Sequence, residues 1–133
     1  MLKLEIVTPE KRVIDADVDS VTVPTATGEV GILPSHAPLI AGLKPGILSY
    51  AVKGSTEKLA VSGGFVEVNT DRVSVLVDTA ERADEIDVDA AKASRDAAEK
   101  ALSSSGSISA DDSNDKRETL DHAVARISLA SSK

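Results

Sequence analysis

The sequence predicts a β-plus-α architecture: an N-terminal antiparallel β-sandwich, a flattened barrel, followed by a C-terminal antiparallel two-helix hairpin. Three observations carry this. Over residues 1–84 apolar and polar residues alternate with period two, and turn residues interrupt at short intervals, as half-buried strands require. From residue 85 onward Ala, Lys and Glu dominate and apolar residues recur at helical spacing. Between the two helical stretches lies SSSGSISADDSN, a connector by composition. The expected division is a sandwich domain at 1–84 and a helical hairpin at 85–133.

Taken in order, Leu2, Leu4 and Ile6 share one strand face, and TPEKR follows as a turn. DVDSVTVP, GEVGILPSHAPLI, GILSYAVKGS, EKLAVSGGFVEVNTD and RVSVLVDTA continue the alternation, with Gly54-Ser55, Gly63-Gly64 and Asn69-Thr70-Asp71 as turn or bulge chemistry. Many short strands without an intervening helix indicate a sandwich. DEIDVDAAKASRDAAEKAL then contains neither Gly nor Pro; Asp84 or Asp87 is placed to cap it, and acidic residues in its first turn suit the helix dipole. In DKRETLDHAVARISLASSK, Leu120, Ala123, Val124, Ile127 and Ala130 form one stripe, the predicted inner face of a second helix. The first helix offers mostly Ala inside, with Val88 and Leu102 as its larger apolar groups. Such a hairpin removes little apolar surface from water and needs the sandwich, or a partner, to hold one shape.

Composition excludes several functions. The 133 residues contain no cysteine, so there is no disulfide framework, thiolate zinc site or thiol nucleophile. The formal net charge of −7 repels phosphate backbones and argues against nucleic-acid binding. No apolar run approaches about 18 residues and the N-terminus reads as a strand, so a soluble chain without a signal segment and without direct membrane insertion is expected.

No catalytic constellation emerges. Ser35 adjoins His36 instead of facing it from another element, and no G-x-S-x-G turn is present. His36 and His122 fall on different parts, with no metal-ligand spacing around either. Gly28-x-x-Gly31 lacks the Gly-Lys-Ser/Thr of a phosphate loop. Asp15, Asp17 and Asp19 alternate along one strand as a solvated face. What remains is GEVGILPSHAPLI itself, in which Pro34 and Pro38 fix φ on either side of His36 and Ile32, Leu33, Leu39 and Ile40 anchor the segment. It reads either as a sandwich corner or as a preformed contact surface.

Four separated blocks, GEVGILPSHAPLI, LKPGIL, VSGGFVEV and VSVLVDTAERADEID, resemble in sequence and order the epsilon subunit of the bacterial or chloroplast F-type ATP synthase. The resemblance implies a non-catalytic subunit of the rotor's central stalk. Its sandwich would seat the gamma subunit on the c ring, and its helices would either fold against the sandwich or extend into the alpha/beta catalytic head and inhibit ATP hydrolysis. It implies a c-ring contact loop containing Glu29, Gly31, Leu33, His36 and Pro38, and matches Gly63-Gly64 to the family's double glycine. IDVDAAK is similar to the pattern I/L-D-x-x-R-A with which some bacterial members hold ATP. Ile86, Asp87 and Ala91 fit it, as do Glu81 and Arg126; Ala90 stands where the arginine is expected, and His122 where a second-helix arginine often stands. The implied nucleotide site is degenerate, so weak ATP binding or none is expected, and no other cofactor. The implied location is peripheral, on the cytoplasmic face of a bacterial cell membrane or the stromal face of a thylakoid. A free-standing sandwich that binds a small ligand under a helical lid is the alternative of a different class.

Overall fold

A computed structural model describes residues 2–35, 37–103 and 110–131, with the backbone alone described at 103 and 110–116. Ten strands precede two helices: β1 (Leu2–Val7), β2 (Arg12–Val18), β3 (Ser20–Thr25), β4 (Gly28–Ile32), β5 (Leu39–Leu43), β6 (Gly46–Val52), β7 (Ser55–Val61), β8 (Gly64–Asn69), β9 (Arg72–Val77), β10 (Ala80–Arg82), then α1 (Val88–Ser103) and α2 (Ala110–Ser131). A 3₁₀ turn, Ala83–Glu85, joins the two parts. The strands form one folded-over sheet in the order β10-β7-β6-β3-β5-β8-β9-β1-β2, with β4 on β3. One layer is thus β10-β7-β6-β3-β4 and the other β5-β8-β9-β1-β2, and a single residue pair, Thr25 with Leu43, joins β3 to β5. All pairings are antiparallel except β1 with β9.

Alternation places Leu2, Leu4, Ile6, Val21, Val23, Leu48, Leu59, Val66, Val73 and Val75 between the layers, all at 0% exposure. This core is continuous and, among the described residues, draws only on the strands, with no helix residue in it.

The turns supply the corrections to a simple alternation. DVDSVTVP is two strands, because Asp19 turns the chain from one layer to the other: its N–H donates to Ala51 O at 2.7 Å, and its carboxylate accepts the Lys53 N–H at 3.0 Å. Lys53 and Gly54 both have positive φ, 51° and 82°, in the two-residue turn between β6 and β7 that the strand twist favours. Gly64 is dictated by packing, since a Cβ there would lie 2.0 Å from Leu76 O. Asp15, one of the alternating acids, pairs with Arg12 at 3.1 Å and with Lys3 at 3.7 Å.

Asp87 caps α1, its Oδ1 accepting the Ala90 N–H at 3.0 Å. Asp84 instead falls in the 3₁₀ turn, where Glu85 Oε1 accepts the Arg82 N–H at 2.9 Å. α2 lies between α1 and the outer face of the first layer, at β6, β7 and the 3₁₀ turn.

Candidate functional site

The seam between α2 and the sandwich is narrow. Leu129 and Ala125 are buried on α2, and Leu129 packs with Ala60 and Ile86, flanked by Ile47, Ala83, Val88 and Ala130. Beside this apolar strip, Arg126 Nη2 donates to Glu81 Oε2 at 3.2 Å, and Arg126 Nε lies 2.7 Å from Glu81 Oε1. One turn earlier, His122 Nε2 lies 3.4 Å from Thr79 Oγ1. Thr79 is itself fixed, because its N–H and that of Asp78 donate to Ser62 Oγ at 2.9 and 3.0 Å. Burial, and then the Arg126 charge, hold the His122 imidazole below its usual pKa of 6.5, with Glu81 pulling the other way.

Sequence periodicity put Val124 on the inner stripe, and the structure corrects this: Val124 is 47% exposed. A helix covered on two flanks splits its apolar stripe. His122, Arg126 and Leu129 face the sandwich, Ala123 is buried on a different side of the helix, and Val124 stands at the rim of a groove it shares with Pro24 and Lys44.

The residues that the resemblance assigned to a nucleotide are otherwise engaged. Glu81 and Arg126 pair with each other, Ile86 is buried in the seam, and the Asp87 carboxylate caps α1. Ala91 is buried on α1, and Ala90 is exposed. A hollow of about 450 Å³ opens beside the Glu81–Arg126 pair, a volume that admits a small ligand. Its charged lining is Glu10, Asp78, Glu81 and Glu85 against Lys11 and Arg126, the wrong balance for a triphosphate.

The segment around GEVGILPSHAPLI is two strands and a turn, so its residues separate. Glu29 and Gly31 lie in β4, with Glu29 near the Thr25–Gly28 turn and facing a groove shared with Pro24, Lys44 and Val124. Leu33 and Pro38 lie beyond the other end of β4, both exposed. His36 lies outside the described residues. Ser35 has φ +66°, and its N–H donates to Asp71 Oδ1 at 2.8 Å, so Ser35 is tied to the turn between β8 and β9. That tie spans 36 residues and has no signal in local pattern.

Sequence reasoning also missed a bare apolar face. On the outside of the second layer, Phe65 pairs across strands with Leu76, which pairs with Val7; Ile40 sits on the same face of the neighbouring β5. Phe65, Leu76 and Ile40 are 62%, 55% and 74% exposed. An apolar hollow of about 510 Å³, lined by Val7, Pro9, Phe65 and Leu76 among others, adjoins them. The signal was present: Phe65 is the chain's single Phe, on the polar side of an otherwise regular strand. Contiguous exposed apolar rows on a soluble fold mark contact with another molecule.

Among the described residues no group of His, Asp or Glu is placed to hold a metal, and no helix is long and apolar enough to cross a membrane. Fold and surfaces together define a binding protein built as a rigid sandwich platform with a helical arm laid across one face. Residues 1–83 match the sequence family described as the ATP synthase delta/epsilon chain, beta-sandwich domain. The chain is 55% identical over 105 residues to the ATP synthase epsilon chain of Desulforamulus reducens, covering 79% of this chain and 80% of the relative. To that of Desulfitobacterium hafniense it is 43% identical over 127 residues, covering 96% and 94%. In three dimensions it is similar to a chain of the Euglena gracilis mitochondrial ATP synthase, with a TM-score of 0.77 at 24% identity over 90% of this chain and 75% of that one. The chain belongs to the ATP synthase epsilon chain family. It is accordingly a non-catalytic subunit of a membrane-bound complex.

Proposed function

We propose that this chain works in the central stalk of the rotor, joining the gamma subunit to the c ring in proton-driven ATP synthesis. Its arm regulates ATP hydrolysis by leaving the sandwich for the alpha/beta catalytic head. The observation that carries this reading is the apolar patch of Phe65, Leu76 and Ile40 on the second layer, bordered by Val7, a platform of the kind a permanent partner covers, while the first layer carries the arm. Gamma is the partner assigned to that patch. Glu29, Gly31, Leu33, His36 and Pro38 are assigned to the c ring, with Glu29 meeting basic groups on its loops. The subunit sits peripherally, on the cytoplasmic face of a bacterial cell membrane, or on the stromal face of a thylakoid in a photosynthetic source.

The nucleotide reading is weak binding or none. It is supported by the closed Glu81–Arg126 pair, by the acidic lining of the adjacent hollow, and by Ala90 and His122 at positions where arginine would bond phosphate bidentately. Calorimetric titration with ATP checks this: micromolar binding contradicts it.

The partner assignment is tested by reconstitution with gamma and the c ring. Phe65→Glu should abolish co-purification with gamma, because a desolvated charge costs several kcal/mol. Glu29→Lys should leave assembly intact and lower proton pumping per ATP hydrolysed, by substituting like-charge repulsion for attraction. Unchanged capture by Phe65→Glu removes the platform reading.

A further inference from the structure

We propose that His122 is a pH-sensitive latch, whose protonation releases α2 from the sandwich and so frees the arm on acidification. The inference rests on the geometry of the seam and not on which partners the subunit has.

His122 is half-buried where α2 crosses the link between β9 and β10, with Nε2 3.4 Å from Thr79 Oγ1. The charged groups around it come from five places: Asp78 on that link, Glu81 on β10, Glu85 on the 3₁₀ turn, Glu10 and Lys11 on the turn after β1, and Glu118 and Arg126 one turn away on α2 itself. α1 lines neither hollow that His122 borders. The acids outnumber the bases, yet Glu10, Asp78, Glu85 and Glu118 are exposed and their attraction is screened by water. Glu81 is not exposed, and it already neutralises Arg126. Arg126 carries a fixed charge beside the imidazole that no change of pH removes. A proton on His122 therefore places a second cation in a partly desolvated seam whose one enclosed acid is taken.

The seam is thin enough for this to matter. Its apolar part is Leu129 against Ala60 and Ile86, with Ile47, Ala83, Val88 and Ala130 at its edge, so a single destabilised contact is a large share of the docking energy. The sign follows from linkage. Docking lowers the His122 pKa from 6.5, so the undocked arm binds more protons. Docking is strongest above about pH 6.5 and weakens as pH falls through the docked value. Each unit of depression is worth tenfold in the docking constant.

The absence of cysteine allows paired spin labels at Glu57→Cys on β7 and Ser128→Cys on α2, both exposed, with distances read by pulsed EPR on the full chain. The ratio of docked to undocked arm should fall several-fold from about pH 7.5 to about pH 5.5, the range in which histidine alone among ordinary side chains titrates. His122→Gln should abolish the response. A ratio constant over this range, or an equal response in His122→Gln, overturns the proposal. NMR titration of the His122 ring provides an independent check that needs no variant: a pKa at or above that of a free histidine also overturns it.

Discussion

The sandwich and the arm are held by different means. The sandwich closes a continuous core of Leu, Ile and Val between two layers, with no described helix residue in it, whereas the arm adheres through one leucine, a few alanines, an ion pair and a histidine. Stability in the first is collective, and in the second it is local. A rotor platform needs the former, because torque must not deform it; a regulator needs the latter, because it must leave its resting place at modest cost. The composition of the helices is therefore a functional property: larger apolar residues at Ala91, Ala98, Ala123 and Ala125, packed without clash, would bind the arm permanently.

The largest expected effect breaks the platform. Gly64→Ala drives a Cβ into Leu76 O and should cost more than about 4 kcal/mol, unfolding the sandwich and arm together in a denaturant titration. Leu129→Ala should separate the two parts. It removes about 2–4 kcal/mol from docking, so the labelled arm moves away while the urea midpoint of the strands stays within error. Arg126→Gln leaves the largely enclosed Glu81 without its partner and should weaken docking by about 1–2 kcal/mol, between the values for surface and buried pairs. Val124→Ala should change docking by less than about 0.5 kcal/mol, because Val124 is 47% exposed at the rim of its groove and lies outside the apolar seam. A larger loss there would mean that the resting position of α2 differs from the one described.

The same contrast explains what the sequence disclosed. Alternation and turn chemistry are local, so most of the strands and the Gly63-Gly64 break were visible in order along the chain, and the cap of α1 was narrowed to Asp84 or Asp87. Long-range pairings were not. The parallel contact of β1 with β9, the tie from Ser35 to Asp71 and the Glu81–Arg126 pair join residues whose neighbours give no hint of one another. Val124 was misplaced because helical spacing identifies an apolar stripe but not how many neighbours divide it. Phe65 and Leu76 went unnoticed because period two allots faces without stating which apolar residue stands on the polar side. Of the residues assigned to a site, Glu81 and Arg126 pair with each other, while Glu29 and Leu33 lie toward opposite ends of β4.

The most direct test of a separable platform and arm is the activity of the reconstituted ATP synthase with the full chain and with a chain ending at residue 84. The core within residues 1–84 is complete without the helices, so the truncated subunit should still assemble and sustain proton pumping coupled to ATP hydrolysis, while the hydrolysis rate rises. In the full-length complex, inhibition carried by Lys116, Arg117 and Arg126 of α2 should also weaken in high salt. An assembly that falls apart without the helices, or that hydrolyses ATP at the same rate with and without them, would contradict the division of labour proposed for the two parts.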